Sequence, residues 1–322
     1  MQYTYLGRTG MKVSRLCLGT MTFGWSADEA TSFAIMDRAY DAGLTFFDTA
    51  NIYSYWGEGN TGGESEAIIG KWLKTKDRRR IVLATKVRGR MWEGTSGEGL
   101  SRQHIKHAVE DSLRRLQTDY IDLYQTHHID PHTPHEETLE ALDRLVREGK
   151  VLYVGCSNYP AWQVMKALWM SDKHHLVRYE SLQPHYSLFH RREFEAEVEA
   201  VCLDQQIAVI PYSPLAAGFA TGKFTRENRA RTTPRAEYSS LVARLIDDER
   251  AYDLLDVIRE LAHSYDVPMA HIALAWLLAK PVITAPIIGV RTVEQLEEVL
   301  GAEELLLDSD AITRLNELSA GF

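Results

Sequence analysis

Eight short apolar runs divide this chain at intervals of about 30 residues, the size of a βαβ unit. They are RLCLGT (15–20), LTFFDTA (44–50), IVLATKV (81–87), IDLYQTH (121–127), VLYVGCSN (151–158), RYESLQ (178–183), IAVIPYS (207–213) and VITAPIIG (282–289). Between them lie segments such as DEATSFAIMDRAYDAG, SRQHIKHAVEDSLRRLQ and HEETLEALDRLVREGK, with apolar residues every three or four positions. That period marks amphipathic helices, several opened by an N-capping side chain and several closed by glycine. Strands alternating with helices imply a parallel sheet. Eight such units in 322 residues fit a (β/α)8 TIM barrel.

Two stretches depart from the repeat. YTYLGRTGMKVS near the start reads as a short N-terminal β-hairpin, with Thr9-Gly10 as its turn, capping the bottom of the barrel. Between the seventh and eighth strands there is room for a polar loop, TGKFTRENRARTTPRAEYSS, and two helical patterns, 248–265 and 268–280. They are the first of the extra C-terminal helices. No linker or low-complexity tract interrupts the chain, so residues 1–322 read as one domain.

Composition narrows the function classes. The net charge of −9 argues against a nucleic-acid partner, because phosphate binding favours a basic surface. Cys17, Cys156 and Cys202 are widely spaced and read as reduced thiols. The N-terminus lacks a signal-peptide core. No apolar run approaches the ~18 residues that a membrane span requires. The expected setting is the cytoplasm, away from membranes.

A barrel of this kind places its active site at the C-terminal ends of the strands. Asp48 ends the second run, Lys86 the third and His127 the fourth, with Tyr53 in the loop after Asp48. Each has a bland explanation alone: a helix cap, a solvated charge, a polar residue or packing. Their convergence on one mouth is more specific. A free tyrosine, with a pKa near 10, is a poor acid at neutral pH, and a neighbouring ammonium lowers that value. Lys86 can serve Tyr53 in this way, and Asp48 can pair with Lys86. A neutral His127 can donate to a carbonyl oxygen while Tyr53 protonates it. No G-x-S-x-G elbow or cysteine–histidine pair supplies a nucleophile. The hydride must come from elsewhere.

Four histidines, His127, His128, His132 and His135, crowd one segment and raise the alternative of a metal site. Consecutive strand residues face opposite ways, so His127 and His128 are not expected to share an ion. His132 and His135 belong to a proline-flanked loop, and no strand carries the His-x-His pair of a metal-dependent hydrolase barrel. No metal is expected, and His127 is the catalytic candidate.

The motifs GRTGMKVSRLCLGTMTFG, FFDTANIY, ATKV, YQTHH, VGCSNY, PYSPLAAG and PIIGVRTVEQLEEVLGA follow in order along nearly the whole chain. In them the chain resembles the aldo-keto reductase superfamily, and most closely the bacterial aldo/keto reductases similar to potassium-channel β-subunits. The resemblance implies Tyr53 as general acid, with Asp48, Lys86 and His127 completing a tetrad. It implies NADPH/NADP+ as cofactor, with NADH possible. Ser157, Asn158 and Gln183 would hold the nicotinamide carboxamide, and Tyr212 would stack on the ring. Ser213, Leu215, Gly218 and Lys223 would follow the pyrophosphate. Gly289, Arg291, Gln295 and Glu298 would meet the adenosine end, with Arg291 on a 2′-phosphate and Thr292 capping the helix. Val299 stands where the family commonly has Asn, which removes one adenine hydrogen bond. Met21, Phe23, Trp25, Tyr55, Trp56, Trp92 and His128 are the candidates for the substrate pocket.

These features point to an NADPH-dependent reductase of aldehydes or ketones, keto-sugars included. The chain's acidity gives no support for a strongly anionic substrate. Three alternatives stand beside it: a cofactor-sensing interaction protein with little turnover, an NADP-dependent sugar or alcohol dehydrogenase running in reverse, and a hydrolytic metal barrel.

Overall fold

A computed structural model describes residues 1–230, 237 and 239–322; residues 231–236 and 238 of the expected polar loop lie outside them. A hairpin comes first. Strands β1 (Tyr3–Tyr5) and β2 (Lys12–Ser14) pair antiparallel, with Tyr5 opposite Lys12. Its turn differs from expectation. The residue with positive φ is Gly7 (55°), not Gly10. A Cβ on Gly7 would sit 2.7 Å from the Gln206 carbonyl oxygen, so the chain needs glycine where it crosses the sheet bottom. Thr9-Gly10 contributes through the Thr9 hydroxyl, which donates to the Leu6 carbonyl (2.7 Å). Leu6 and Val13 are fully buried and pack with Phe46, Ala84, Leu123 and Ala208. The hairpin therefore plugs the base of the barrel with apolar side chains.

The barrel strands are β3 (Cys17–Gly19), β4 (Phe46–Asp48), β5 (Val82–Val87), β6 (Ile121–Thr126), β7 (Val151–Ser157), β8 (Tyr179–Gln183), β9 (Ala208–Val209) and β10 (Ile287–Gly289). Each falls inside one of the eight apolar runs. They form one parallel sheet in the order β10-β3-β4-β5-β6-β7-β8-β9. Parallel bridges from Val209 to Ile283 and from Tyr212 to Ile287 join its two ends. The result is a (β/α)8 barrel, whose parallel strands are covered by helices and so read as apolar throughout.

Helices α1 (Glu29–Asp41), α2 (Glu64–Leu73), α3 (Arg102–Leu116), α4 (His135–Arg147), α5 (Ala161–His174) and α6 (Glu199–Gln205) alternate with the strands from β3 to β9. Asp28 and Ser101 cap α1 and α3 by accepting from backbone amides, as their residue types favour. Glycine follows α1 and α4 with positive φ, at Gly43 and Gly149, whereas α3 and α5 end on left-handed Gln117 and His175. After β9 come α7 (Ser240–Leu245), α8 (Glu249–Tyr265) and α9 (Met269–Leu278). In α9, MAHIALAWLL is apolar on every side and is buried accordingly. After β10 the chain adds α10 (Val293–Glu297) and α11 (Ser309–Ser319). Among the described residues no helix is long and apolar enough to cross a membrane.

Candidate active site

Strand register decides which side chains meet at the mouth. Gly19 lies opposite Asp48, Lys86 opposite Gln125, and Ser157 opposite Gln183. Lys86 is fully buried and spends its three protons on three acceptors. It donates to Asp48 Oδ2 at 2.5 Å, to the Thr49 carbonyl at 2.9 Å and to the Tyr53 hydroxyl at 2.9 Å. Asp48, also buried, accepts on Oδ1 from Gln183 Nε2 (2.9 Å) and Gln125 Nε2 (3.1 Å). Burial pulls the Lys86 ammonium down, but the charges of Asp48 and Tyr53 outweigh it and hold the group above its ordinary value. The cation beside the phenol is therefore permanent at neutral pH.

His127 lies just beyond β6, its ring 5.9 Å from that of Tyr53. Burial, then the nearby charges of Lys86, His128 and Arg88, hold its imidazole well below the usual histidine range. It is neutral at pH 7 and keeps one N–H to donate. One expectation is corrected here. His127 and His128 both line the cleft, with rings stacked at 5.2 Å. The alternation rule fails for them because β6 stops at Thr126 and the chain leaves the sheet. His132 is exposed, and His135 Nε2 pairs with Gln163 Oε1. Among the described residues no three His, Cys, Asp or Glu side chains gather to hold a metal ion.

A long cleft runs from this mouth across the top of the barrel. Asp48, Tyr53 and His127 line it, and Lys86 stands behind them. Ser157, Asn158, Gln183, Tyr212, Ser213, Leu215, Gly218, Lys223, Gly289, Arg291, Gln295 and Glu298 line the rest. Asn158 organises the near end from a left-handed backbone (φ 61°). It donates to the His127 carbonyl (3.0 Å) and accepts from the Tyr212 hydroxyl (2.9 Å). Tyr212 is braced by His185, whose ring stacks on it at 4.9 Å and 14°. At the far end Thr292 caps α10 through the Gln295 amide (3.3 Å), and Gln295 Oε1 accepts from the Arg291 amide (3.0 Å). Buried Val299 lies on this wall.

A nicotinamide dinucleotide fits these residues. No Cβ on Gly218 or Gly289 would meet anything within 4 Å, so a ligand can approach their backbone. The Arg291 guanidinium makes no ion pair among the described residues, and Lys223 is exposed on the same wall. Those are suitable partners for a chain of phosphates.

Of the expected pocket residues, Met21, Trp56 and His128 line the cleft. Trp25 and Tyr55 pack edge-on against Trp56 at 5.7 and 5.3 Å, one shell further out. Phe23 is fully buried in the core between helices and sheet, so its ring is packing. Trp92 lies against His104 (4.8 Å) in the loop after β5, away from the cleft wall. Sequence reasoning missed Gln125, although it stands two residues after barrel-interior Leu123 and two before His127. It also missed Gly155. A Cβ there would fall 2.2 Å from Ser181 Oγ and 3.3 Å from Gln125 Cγ, so only glycine leaves room for that side chain.

The model of the aldo/keto reductase family matches residues 15–320. An uncharacterized oxidoreductase of Bacillus subtilis, YrpG, is 45% identical over all of this chain and 97% of its own length. The versiconal hemiacetal acetate reductase of Aspergillus parasiticus is 34% identical, over 98% of this chain and 96% of its own. A putative aryl-alcohol dehydrogenase of Schizosaccharomyces pombe is 36% identical, over 98% and 95%.

Proposed function

Because the chain belongs to the aldo/keto reductase family, and is thus an oxidoreductase acting on small carbonyl compounds, we propose that it reduces aldehydes or ketones with NADPH and that Tyr53 delivers the proton. One observation carries this reading: the Tyr53 hydroxyl lies 2.9 Å from a buried ammonium whose remaining protons are already committed.

NADPH, when bound, supplies a hydride to the carbonyl carbon. The protein does the rest. Ser157, Asn158 and Gln183 hold the carboxamide, and Tyr212 presents its ring to the nicotinamide, braced from behind by His185. His127, neutral, donates a hydrogen bond to the substrate oxygen and fixes its position. As negative charge develops there, Tyr53 releases its proton to that oxygen. The phenolate left behind is stabilised by Lys86, whose own charge is anchored by Asp48. Gln125 and Gln183 keep the Asp48 carboxylate turned toward Lys86. Arg291 receives the 2′-phosphate and gives the preference for NADPH over NADH.

The same groups run the reaction backwards, with Tyr53 as base. The name of the fission-yeast relative suits that direction, so alcohol oxidation with NADP+ is a second reading of one site. The three cysteines are free and buried, which suits a reducing cytoplasm. The test is spectrophotometric: NADPH and NADH oxidation with aromatic aldehydes, methylglyoxal, simple ketones and keto-sugars, and NADP+ reduction with the matching alcohols. Turnover with NADPH on one substrate class is the expected result. Tight NADPH binding without turnover in either direction would favour a cofactor sensor.

A further inference from the structure

Arg88 stands immediately after β5, two residues beyond Lys86. Three observations set it apart from the surface arginines. Its backbone has φ 144°, a region that L-residues other than glycine rarely occupy and that concentrates at functional sites. Its Nε is buried and meets no acceptor, and its side chain makes no ion pair among the described residues. It borders the catalytic mouth from behind the cleft lining: the His127 amide donates to the Val87 carbonyl, which belongs to the Arg88 peptide unit (2.9 Å). The next residue, Gly89, packs against Ile52, a Cβ there falling 2.7 Å from that side chain, and Ile52 lines the cleft.

The carboxylate that feels its charge, Asp130, takes its hydrogen bonds from other groups. Asp130 accepts from the Leu100 amide (2.8 Å), the His132 amide (3.0 Å) and the Thr133 hydroxyl (2.6 Å). The guanidinium charge is nevertheless felt at the mouth, where it helps keep both His127 and His128 neutral. A half-buried guanidinium beside an active site, with no carboxylate in ion-pair contact among the described residues, is a ready partner for one.

We propose that Arg88 is a specificity determinant that binds a carboxylate on the substrate, so that the preferred carbonyl compounds are aldehydes or ketones carrying an acid group. The proposal rests on the reductase reading above. It also departs from what net charge suggests, since a local unpaired cation outweighs the chain's overall acidity at that point.

The test compares 4-carboxybenzaldehyde with its methyl ester, which keeps the skeleton and removes the charge. The wild-type enzyme should prefer the acid in kcat/KM by about ten- to a hundredfold, the worth of a hydrogen bond to a charged group, chiefly through KM. Arg88→Met should erase that ratio and Arg88→Lys keep part of it. Arg88→Gly removes the same charge while suiting the backbone at φ 144°, so a folding defect in the Met variant would not hide the result. Equal kcat/KM for acid and ester in the wild type, or an unchanged ratio in both neutral variants, would overturn the carboxylate anchor and leave the reductase intact. Should neither aldehyde turn over, the reductase reading rests on the wider panel of carbonyl compounds. Binding of 4-(hydroxymethyl)benzoate and its methyl ester to NADP+-loaded protein, by tryptophan fluorescence, then decides on Arg88. Tighter binding of the acid, lost in Arg88→Gly, supports it, and equal or absent binding overturns it.

Discussion

The two ends of the cleft are built on opposite principles. At the catalytic end the side chains are buried and satisfy one another: Lys86 on Asp48, Thr49 and Tyr53, and Asp48 on Gln125 and Gln183. At the adenosine end Arg291 and Gln295 are half-exposed and Glu298 is exposed, around a helix of only five residues. There the Arg291 guanidinium makes no ion pair among the described residues. Chemistry requires groups held in place before substrate arrives. Binding a polyanion requires cations left available. Arg88 apart, the first end is completed by the protein, the second by its ligand.

This contrast can be broken most severely at Lys86. Lys86→Met leaves Asp48 buried without its cation, which costs about 3–5 kcal/mol of stability. It also removes the charge that makes Tyr53 an acid, a loss of about 10²- to 10⁴-fold in kcat. Urea unfolding beside NADPH oxidation checks both, and a stable, active variant would show that the pair is incidental. His127→Ala comes next. Loss of one oxyanion donor lowers kcat by about 10²- to 10³-fold, with NADPH affinity preserved. A change confined to KM would make His127 a binding residue only.

At the other end the effect should be smaller and confined to one cofactor. Arg291→Ala should weaken NADPH binding by about 1.5–3 kcal/mol, the worth of charge-assisted hydrogen bonds, and leave NADH binding and stability as they were. Equal weakening of both cofactors, read by fluorescence titration, would place Arg291 away from the 2′-phosphate.

The smallest effect concerns acid stability. His127 excludes its proton in the native state, while the unfolded chain takes one up near pH 6.5. The unfolded state then binds more protons, so stability is full above about pH 6.5 and declines as pH falls toward the depressed native value. His127→Gln should show a shallower decline, measured by urea midpoints across that range. An identical slope would mean that His127 is protonated in the native state.

The difference between the two ends also explains what could be read in the sequence. Periodic structure was legible: every barrel strand lies within an apolar run, and α8 and α9 fall on the patterns at 248–265 and 268–280. Asp48, Lys86 and His127 followed from their positions at strand ends. Features set by contacts distant in sequence were not legible. Gly7 is required by Gln206, and Gly155 by Ser181, and no local pattern announces either. Loops escaped for a related reason. With no period to fix them, nothing separated Phe23, packed in the core, from Trp56, which lines the cleft. The stacked His127 and His128 show the same limit, because alternation ends where the strand ends.

The most direct test concerns Tyr53 alone. NADPH-loaded wild type and Tyr53→Phe are mixed with a good aldehyde substrate, and cofactor oxidation is followed through a single turnover, with NADPH affinity measured separately by fluorescence. Unchanged affinity with a hydride-transfer rate lowered by about 10²- to 10⁴-fold is the expected result. A Tyr53→Phe protein that oxidises NADPH at the wild-type rate would contradict the assignment of Tyr53 as proton donor and, with it, the role given to Lys86.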